Sequence, residues 1–401
     1  MNPGGDPKNA APSARRIKRR VAAPVHEFFA ATGPGIEPLC CRELLTPPVS
    51  ATDAAVVPGG VTFSGKLTDL YRANLHLRTA NRILMRITEF PAENFRQLQR
   101  RLSSVDWELF LPREAAVQVR VSTRRCRLYH SEAVARRAEE QIRHCLGSPP
   151  ARDAADQTPC LASVFVRGEN DRFLVSVDSS GDLLHRRGIK THPATAPLRE
   201  TLAAAVLMWA GFDPSKPLVD PMCGSGTFSL EAALMAGRIP PGWYRRFDFE
   251  TWPAFRPRQW DHIRKEAADR IVFPETARIF AGDRDPAALG QLQGCLQAHQ
   301  LDRSVVLFER DFFDLRPEAM AAVAGLVVLN PPYGRRLSAE TAGGPAMDRV
   351  IGHLKHYFGG WKIALLSPPG LLGRISFSHR TRRLVHGGLG LSLVTGRIPT
   401  G

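Results

Sequence analysis

From His26 onward the apolar and polar positions fall into short periodic runs. Glu27-Phe28-Phe29-Ala30 reads as a strand, Gly33-Pro34-Gly35 as a turn, and Ile36 to Leu45 as an amphipathic helix with apolar residues at helical spacing. Gly60-Val61-Thr62-Phe63 reads as a second strand, and Asp69 to Leu77 and Phe95 to Leu102 as helices. Ala116 to Ser122 alternates as a strand before a helix over about Ser131 to Leu146. After a Pro/Ala/Asp-rich loop, Ala162 to Val166 and Phe173 to Val177 alternate as two strands of a hairpin around Gly168-Glu169-Asn170-Asp171. Strands and helices interchange here without a strict βαβ period, which predicts a small α+β module.

The pattern then changes. Leu184-His185-Arg186-Arg187-Gly188-Ile189-Lys190 is basic and reads as a bridge. Helical periodicity over Leu198–Trp209, Thr227–Ala236 and Pro286–His299 alternates with buried-strand patterns at Pro217–Asp220, Ala277–Ala281, Val305–Leu307 and Gly325–Leu329. This βαβαβ order predicts a doubly wound, mainly parallel sheet whose ligand lies beyond the carboxyl ends of the strands. Arg383 to Leu393 reads as a closing antiparallel hairpin. The expected organisation is α/β: a disordered basic arm over 1–23, a first module over 24–180, and a second domain over 181–401 with an aromatic insert at about 237–270.

Charge sharpens the picture. Lys plus Arg total 54 against 39 Asp plus Glu, a net +15 that points to a polyanionic partner, although a GC-rich genome also inflates arginine. Arg120, Arg124, Arg125, Arg127, Arg136, Arg137 and Arg143 fall on one predicted strand–loop–helix unit and read as an RNA-binding face, with a solvated charged face as the alternative. The arm carries Arg15-Arg16-Ile17-Lys18-Arg19-Arg20, either an aid to RNA affinity or a solubilising tail. No apolar stretch approaches the roughly 18 residues of a membrane span, and no secretory pattern opens the chain, so a cytoplasmic protein is expected. The seven cysteines contain no C-x-x-C pair, which predicts free thiols and no metal site.

Candidate chemistry gathers at four predicted strand ends. Asp220-Pro221-Met222-Cys223-Gly224-Ser225-Gly226 is a glycine turn opening a helix; serine at 229 breaks the dinucleotide pattern. Asp283 ends the next strand and is placed to accept from ribose hydroxyls, while Asp285 before Pro286 reads as a helix cap. Asp311 can accept from an adenine amine, with Phe312 beside it to pack on the ring. The last end is Asn330-Pro331-Pro332-Tyr333-Gly334. An exocyclic base amine is a weak nucleophile because its lone pair is delocalised; the Asn330 oxygen and the Pro331 carbonyl can localise it toward a methyl donor. Pro332 stiffens the loop, and Tyr333 offers a ring for an extruded base. The motif leaves adenine and guanine equally open. Cys223 in the glycine turn faces the cofactor, not the base, and is not assigned as a nucleophile.

These motifs resemble the class I methyltransferases acting on amino groups. Over roughly residues 25 to 400 the chain resembles the THUMP-domain RNA methyltransferases that make N2-methylguanosine, in the type acting on large-subunit ribosomal RNA. The resemblance implies a ferredoxin-like and THUMP RNA-binding module followed by a Rossmann-like domain with a seven-stranded, mainly parallel sheet. It implies S-adenosylmethionine as cofactor, with Asp220, Cys223, Gly224 and Gly226 at the methionine part, Asp283 at the ribose, and Asp311 with Phe312 at the adenine. Asn330, Pro331, Pro332 and Tyr333 would then hold guanine, and the helix carrying Glu200 and Thr201 would close over the cofactor's carboxylate end. The implied substrate is 23S ribosomal RNA, naked or in a pre-50S particle. The aromatic insert from Pro240 to Trp260 resembles the ribosomal type, as a structural flap or a substrate contact. Transfer RNA guanine-N2 methylation, adenine-N6 methylation and a non-catalytic ribosome assembly factor remain the alternatives. The resemblance stops short of the fused C-terminal methyltransferase module of some bacterial relatives, so any second methylation is expected to be absent or done by another protein.

Overall fold

The computed structural model describes residues 12–113, 115–147, 161–190, 198–274, 276–331 and 344–400. Fourteen strands among them form two sheets of seven. The first contains β1 (His26–Thr32), β2 (Ala55–Val57), β3 (Gly60–Gly65), β4 (Ala80–Pro91), β5 (Ala116–Arg124), β6 (Leu161–Glu169) and β7 (Arg172–Asp178). Their spatial order is β2-β3-β1-β4-β7-β6-β5, antiparallel except for the parallel β5–β6 pair. Helices α1 (Ala14–Ile17), α2 (Glu37–Leu45), α3 (Leu67–His76), α4 (Phe95–Ser103) and α5 (Ser131–Leu146) accompany it. The β6–β7 hairpin turns on Asn170 and Asp171, whose φ values of 51° and 59° match the twist that tight hairpins require.

The second sheet contains β8 (Leu218–Asp220), β9 (Ile279–Asp283), β10 (Val305–Glu309), β11 (Leu326–Leu329), β12 (Lys362–Ser367), β13 (His379–His386) and β14 (Leu389–Arg397), in the order β10-β9-β8-β11-β12-β14-β13. β14 alone runs opposite to the other six. Every residue of β8 and β11 is buried, as parallel strands covered on both faces demand. The connecting helices are α6 (Glu200–Ala210), α7 (Thr227–Ala236), α8 (Pro257–Ala268), α9 (Pro286–Ala298) and α10 (Gly344–Tyr357). Strand order reverses at β8, so the ligand crevice of a doubly wound sheet lies at the carboxyl ends of β8 and β11.

The arm over 1–23 needs correction. Residues 1–11 lie outside the described residues, but Ala14–Ile17 and Lys18–Ala22 are helical, Ser13 accepts from the Arg16 amide, and Val21 is fully buried. Arg16 pairs with Asp106 and Glu108, each at 2.8 Å. Ile17 and Val21 are four residues apart and face the core, an apolar pair hidden among five cations.

The aromatic insert packs on α3. Phe249 stacks on Tyr71 of α3 at 4.5 Å between centroids, and Trp260 meets both rings edge-on. Arg245 donates to the carbonyls of Ser180, Asp182, Leu183 and Arg186 at 2.7–2.9 Å while lying over Phe247. The insert therefore clasps the N-terminal sheet and the bridge, which is the structural-flap alternative. Deeper in the joint, Arg187 Nε donates to Glu231 Oε1 at 2.8 Å and its Nη2 to the Arg78 carbonyl at 2.7 Å. Arg78 in turn reaches the Ile239 carbonyl at 2.8 Å.

Candidate active site

Asp220 ends β8 with 1% exposure. Ser229 Oγ donates to its Oδ2 at 2.7 Å, while Oδ1 is buried with no partner among the described residues. Burial pushes its carboxyl up to about 7, the Asp283 charge adding to the effect and the Ser229 hydroxyl opposing it.

The glycine turn follows. Cys223 N–H donates to the Gly282 carbonyl at 2.9 Å, tying the turn to β9. Both glycines have positive φ, +50° at Gly224 and +70° at Gly226, for different reasons. A Cβ at Gly224 would meet nothing within 4 Å, so its face is open; a Cβ at Gly226 would sit 2.3 Å from Leu292 Cδ1 of α9. Close approach to a ligand is thus available at Gly224, and Gly226 serves helix packing. The Cys223 thiol is raised by burial and by the carboxylates of Asp220 and Asp283, which opposes thiolate chemistry.

Asp283 Oδ2 accepts from Gly224 N–H at 2.7 Å, and Oδ1 accepts from Asp285 N–H at 3.1 Å. Asp285 caps α9 through the Ala287 amide at 2.9 Å, the role its place before Pro286 predicts. Asp311 Oδ1 caps a short 3-10 turn through Phe313 N–H at 2.9 Å, with Arg284 3.9 Å from its other oxygen. Phe312 departs from expectation: it is 3% exposed and packs on His353 and Phe358 beneath α10. The half-exposed ring at this strand end is Phe313.

Asn330 follows the buried β11, and its Oδ1 is buried with no hydrogen-bond partner among the described residues. An acceptor shielded from water and unpaired is unfavourable unless a donor reaches it. Pro331 is buried beside it. Pro332 and Tyr333 lie outside the described residues. Thr201 is buried on α6 and donates to Asn81 Oδ1 of β4 at 3.2 Å, joining the two sheets beside the crevice. Glu200, the first residue of α6, pairs with Lys190 at 3.2 Å. In the sequence Lys190 is only the end of a basic bridge; no periodicity marks it, because its partners come from the start of α6, the glycine turn and the start of α7.

The arginine face forms as expected in position. Arg120, Arg124, Arg125, Arg127, Arg136 and Arg137 are all exposed on β5, the loop after it and α5. Arg124 lies 3.9 Å from Glu169, Arg127 pairs with Glu93 and lies 3.9 Å from Asp171, and Arg137 lies 3.5 Å from Glu140. Arg120, Arg125 and Arg136 have no carboxylate partner among the described residues, Arg120 donating instead to Gln118 Oε1 at 3.3 Å.

A glycine turn, an acidic strand end and an Asn-Pro strand end, arranged around the reversal of this sheet, define the α/β class of methyltransferases. Residues 187–376 match the family described as the RMKL-like methyltransferase domain, and residues 27–84 match the RlmL ferredoxin-like domain. A Synechocystis sp. protein provisionally named an RNA methyltransferase is 31% identical over 350 residues, 86% of this chain and 89% of that protein. The ribosomal RNA large subunit methyltransferase K/L of Vibrio campbellii is 33% identical over 86% of this chain and 49% of its own length; the Syntrophotalea carbinolica protein of the same name is 32% identical over 92% and 53%. The chain thus spans about half the length of these two relatives. Among solved structures, one provisionally called a methyltransferase and complexed with S-adenosylhomocysteine superposes with a TM-score of 0.80 at 26% identity, over 94% of this chain and 99% of that one. A Listeria monocytogenes protein titled as an N6-adenine-specific DNA methylase by prediction superposes equally, TM-score 0.80 at 27% identity over 94% and 97%. The chain belongs to the RMKL-like methyltransferase family.

Proposed function

We propose that this chain methylates the exocyclic N2 amine of a guanine in large-subunit ribosomal RNA. S-adenosylmethionine, the cofactor of this family, supplies when bound an electrophilic methyl group on a sulfonium. The residues present fit it: the open face of Gly224, the Asp283 carboxylate beside that amide, and the unpartnered Asp220 Oδ1 line one side of the crevice.

The single observation that carries the amine assignment is the buried Asn330 Oδ1, unpaired among the described residues. In this reading Asn330 Oδ1 and the Pro331 carbonyl accept the two amine protons and turn the nitrogen lone pair toward the donor. Their fixed placement after a buried strand supplies orientation without later reorganisation. Tyr333 stacks the extruded base, and Asp311 orients the cofactor's adenine. The arginine face contacts phosphates and positions the RNA. Ribosomal RNA as substrate is supported by the names of the Vibrio and Syntrophotalea relatives, and guanine by the resemblance of the whole chain.

Two measurements test this. Mass-spectrometric mapping of ribosomal RNA from a deletion strain should reveal one missing N2-methylguanosine; an unchanged set rejects the substrate. Asn330→Ala should abolish methyl transfer while RNA affinity stays within about 1 kcal/mol, the worth of a neutral hydrogen bond. The Listeria structure favours a second reading, adenine N6. Labelled cofactor with separated RNA pools, followed by nucleoside analysis, decides between them.

A further inference from the structure

Behind the crevice, the joint between the two halves encloses a cavity of about 440 Å³, lined by Leu77 and Arg78 after α3, Met208 of α6, Met235 of α7, and Pro240 and Pro241 of the insert. Small-molecule sites span about 300–1,000 Å³. α6 and α7 start at the crevice and end here, and the ten residues of α7 separate the two places by about 15 Å. Arg238 and Arg270 stand at the exposed mouth. The other charges nearby are matched. Glu43, in the cavity wall, accepts from the amides of Arg78 and Thr79 at 2.9 and 3.1 Å; Glu231 answers Arg187 at 2.8 Å, with Arg78 3.8 Å away; Glu266 answers Arg72 at 2.7 Å. Arg238 and Arg270 have neither a carboxylate nor a side-chain hydrogen-bond partner among the described residues, so two positive charges are left over. His76, also in the wall, is pushed down to about 3, by burial first and then by the guanidiniums of Arg78, Arg72 and Arg270, with Glu266 opposing.

Arg238 and Arg270 follow the ends of α7 and α8, where the helix dipole favours a cation, yet neither guanidinium donates to a carbonyl among the described residues. Arg238 also occupies an unfavourable backbone. Its N–H donates to the Met235 carbonyl at 3.1 Å and Ile239 N–H to the Leu234 carbonyl at 2.8 Å, the helix ending whose left-handed residue is most often glycine; here it is arginine, with φ 52°. Beside it, Val272 N–H donates to the Gly237 carbonyl at 3.0 Å, and the next residue is Phe273, 55% exposed. Two unmatched guanidiniums, an exposed ring and a wall of proline and methionine suit an anion carried on a flat, largely apolar body. We propose that this cavity is a second small-molecule site that takes a nucleoside phosphate, the phosphate between Arg238 and Arg270 and the nucleoside against the proline and methionine wall. The space holds one nucleotide, not a chain of them, and the arginine face stands on β5, three strands beyond the β4 that follows α3. The source is therefore a free nucleotide and not the RNA.

Calorimetric titration of the full chain with guanosine and uridine 5′-monophosphates tests it, with excess S-adenosylhomocysteine present to close the crevice to the probe. At least one nucleotide should bind, and its parent nucleoside and inorganic phosphate should each bind about tenfold more weakly or worse. Arg238→Ala and Arg270→Ala should each cost about tenfold in nucleotide affinity, the worth of a charged hydrogen bond, while the urea-unfolding midpoint stays that of wild type. Phe273→Ala should weaken the nucleotide severalfold and leave inorganic phosphate unaltered. Absence of binding by both nucleotides at millimolar concentration, or equal affinity in wild type and the Arg238→Ala/Arg270→Ala double variant, overturns the site. Inorganic phosphate binding as tightly as the nucleotides removes the nucleoside from the assignment, and displacement of the nucleotide by a ribosomal RNA fragment overturns the free nucleotide as its source.

Discussion

Asp220 is a carboxylic acid held where ionisation is unfavourable. Burial raises it from 3.8 to about 7, so over that range the folded protein retains a proton that the unfolded chain has released. The sign follows: its contribution is most favourable at low pH and is lost as pH rises toward 7, by at most about 1.4 kcal/mol per unit. Asp220→Asn cannot titrate. Its urea-unfolding free energy should therefore gain on wild type as pH climbs from about 5 to about 7; parallel curves would show that Asp220 is ionised throughout. Ser229, one turn into α7, is the serine that breaks the dinucleotide pattern, and its hydroxyl occupies Asp220 Oδ2. The departure from a glycine at that position thus has a local use.

At the scale of elements, the insert acts as a clasp. Phe249 is fully buried against Tyr71, so Phe249→Ala should lower stability by about 3–5 kcal/mol, read from the denaturant midpoint, although the residue belongs to neither sheet. Its aromatic content was evident in the sequence; its destination was not, because long-range packing leaves no period along the chain. Elements with clean periodicity were legible to the residue, as at Ser131–Leu146 and Thr227–Ala236. The long β4 is not legible from periodicity. Its Ile83-Leu84-Met85 run is continuous, not alternating, and a register shift between Arg86 and Thr88 breaks the period of two. At the site, Asp220, Asp283, Asp285 and Asn330 were legible because strand ends advertise themselves. Phe312 and Lys190 were not: which of two adjacent rings faces the crevice, and which cation of a basic run reaches it, depends on neighbours distant in sequence.

Over the whole molecule, the excess of positive charge acquires a place. Arg125 and Arg136 have neither a carboxylate nor a side-chain hydrogen-bond partner among the described residues, so they are freest to exchange counterions for phosphates. Replacing both with alanine should reduce the slope of log affinity against log salt by about 1 to 2, in filter binding with ribosomal RNA, without altering cofactor affinity. An unchanged slope would assign RNA contact elsewhere. No helix among the described residues is long and apolar enough to cross a membrane. The joint between the sheets bears on how such a protein can be rearranged. Arg78, Arg187, Glu231 and the Ile239 carbonyl form one buried network, and Thr201 beside the crevice leans on Asn81 from the other half. Arg78 also lies 3.8 Å from Glu231, so a chimera cut near residue 180 would strand the Arg78 guanidinium on one parent and that carboxylate on the other. Exchanging the N-terminal half between relatives should succeed only when the bridge, Glu231 and the insert travel with it, so the joint has to be moved as a matched set.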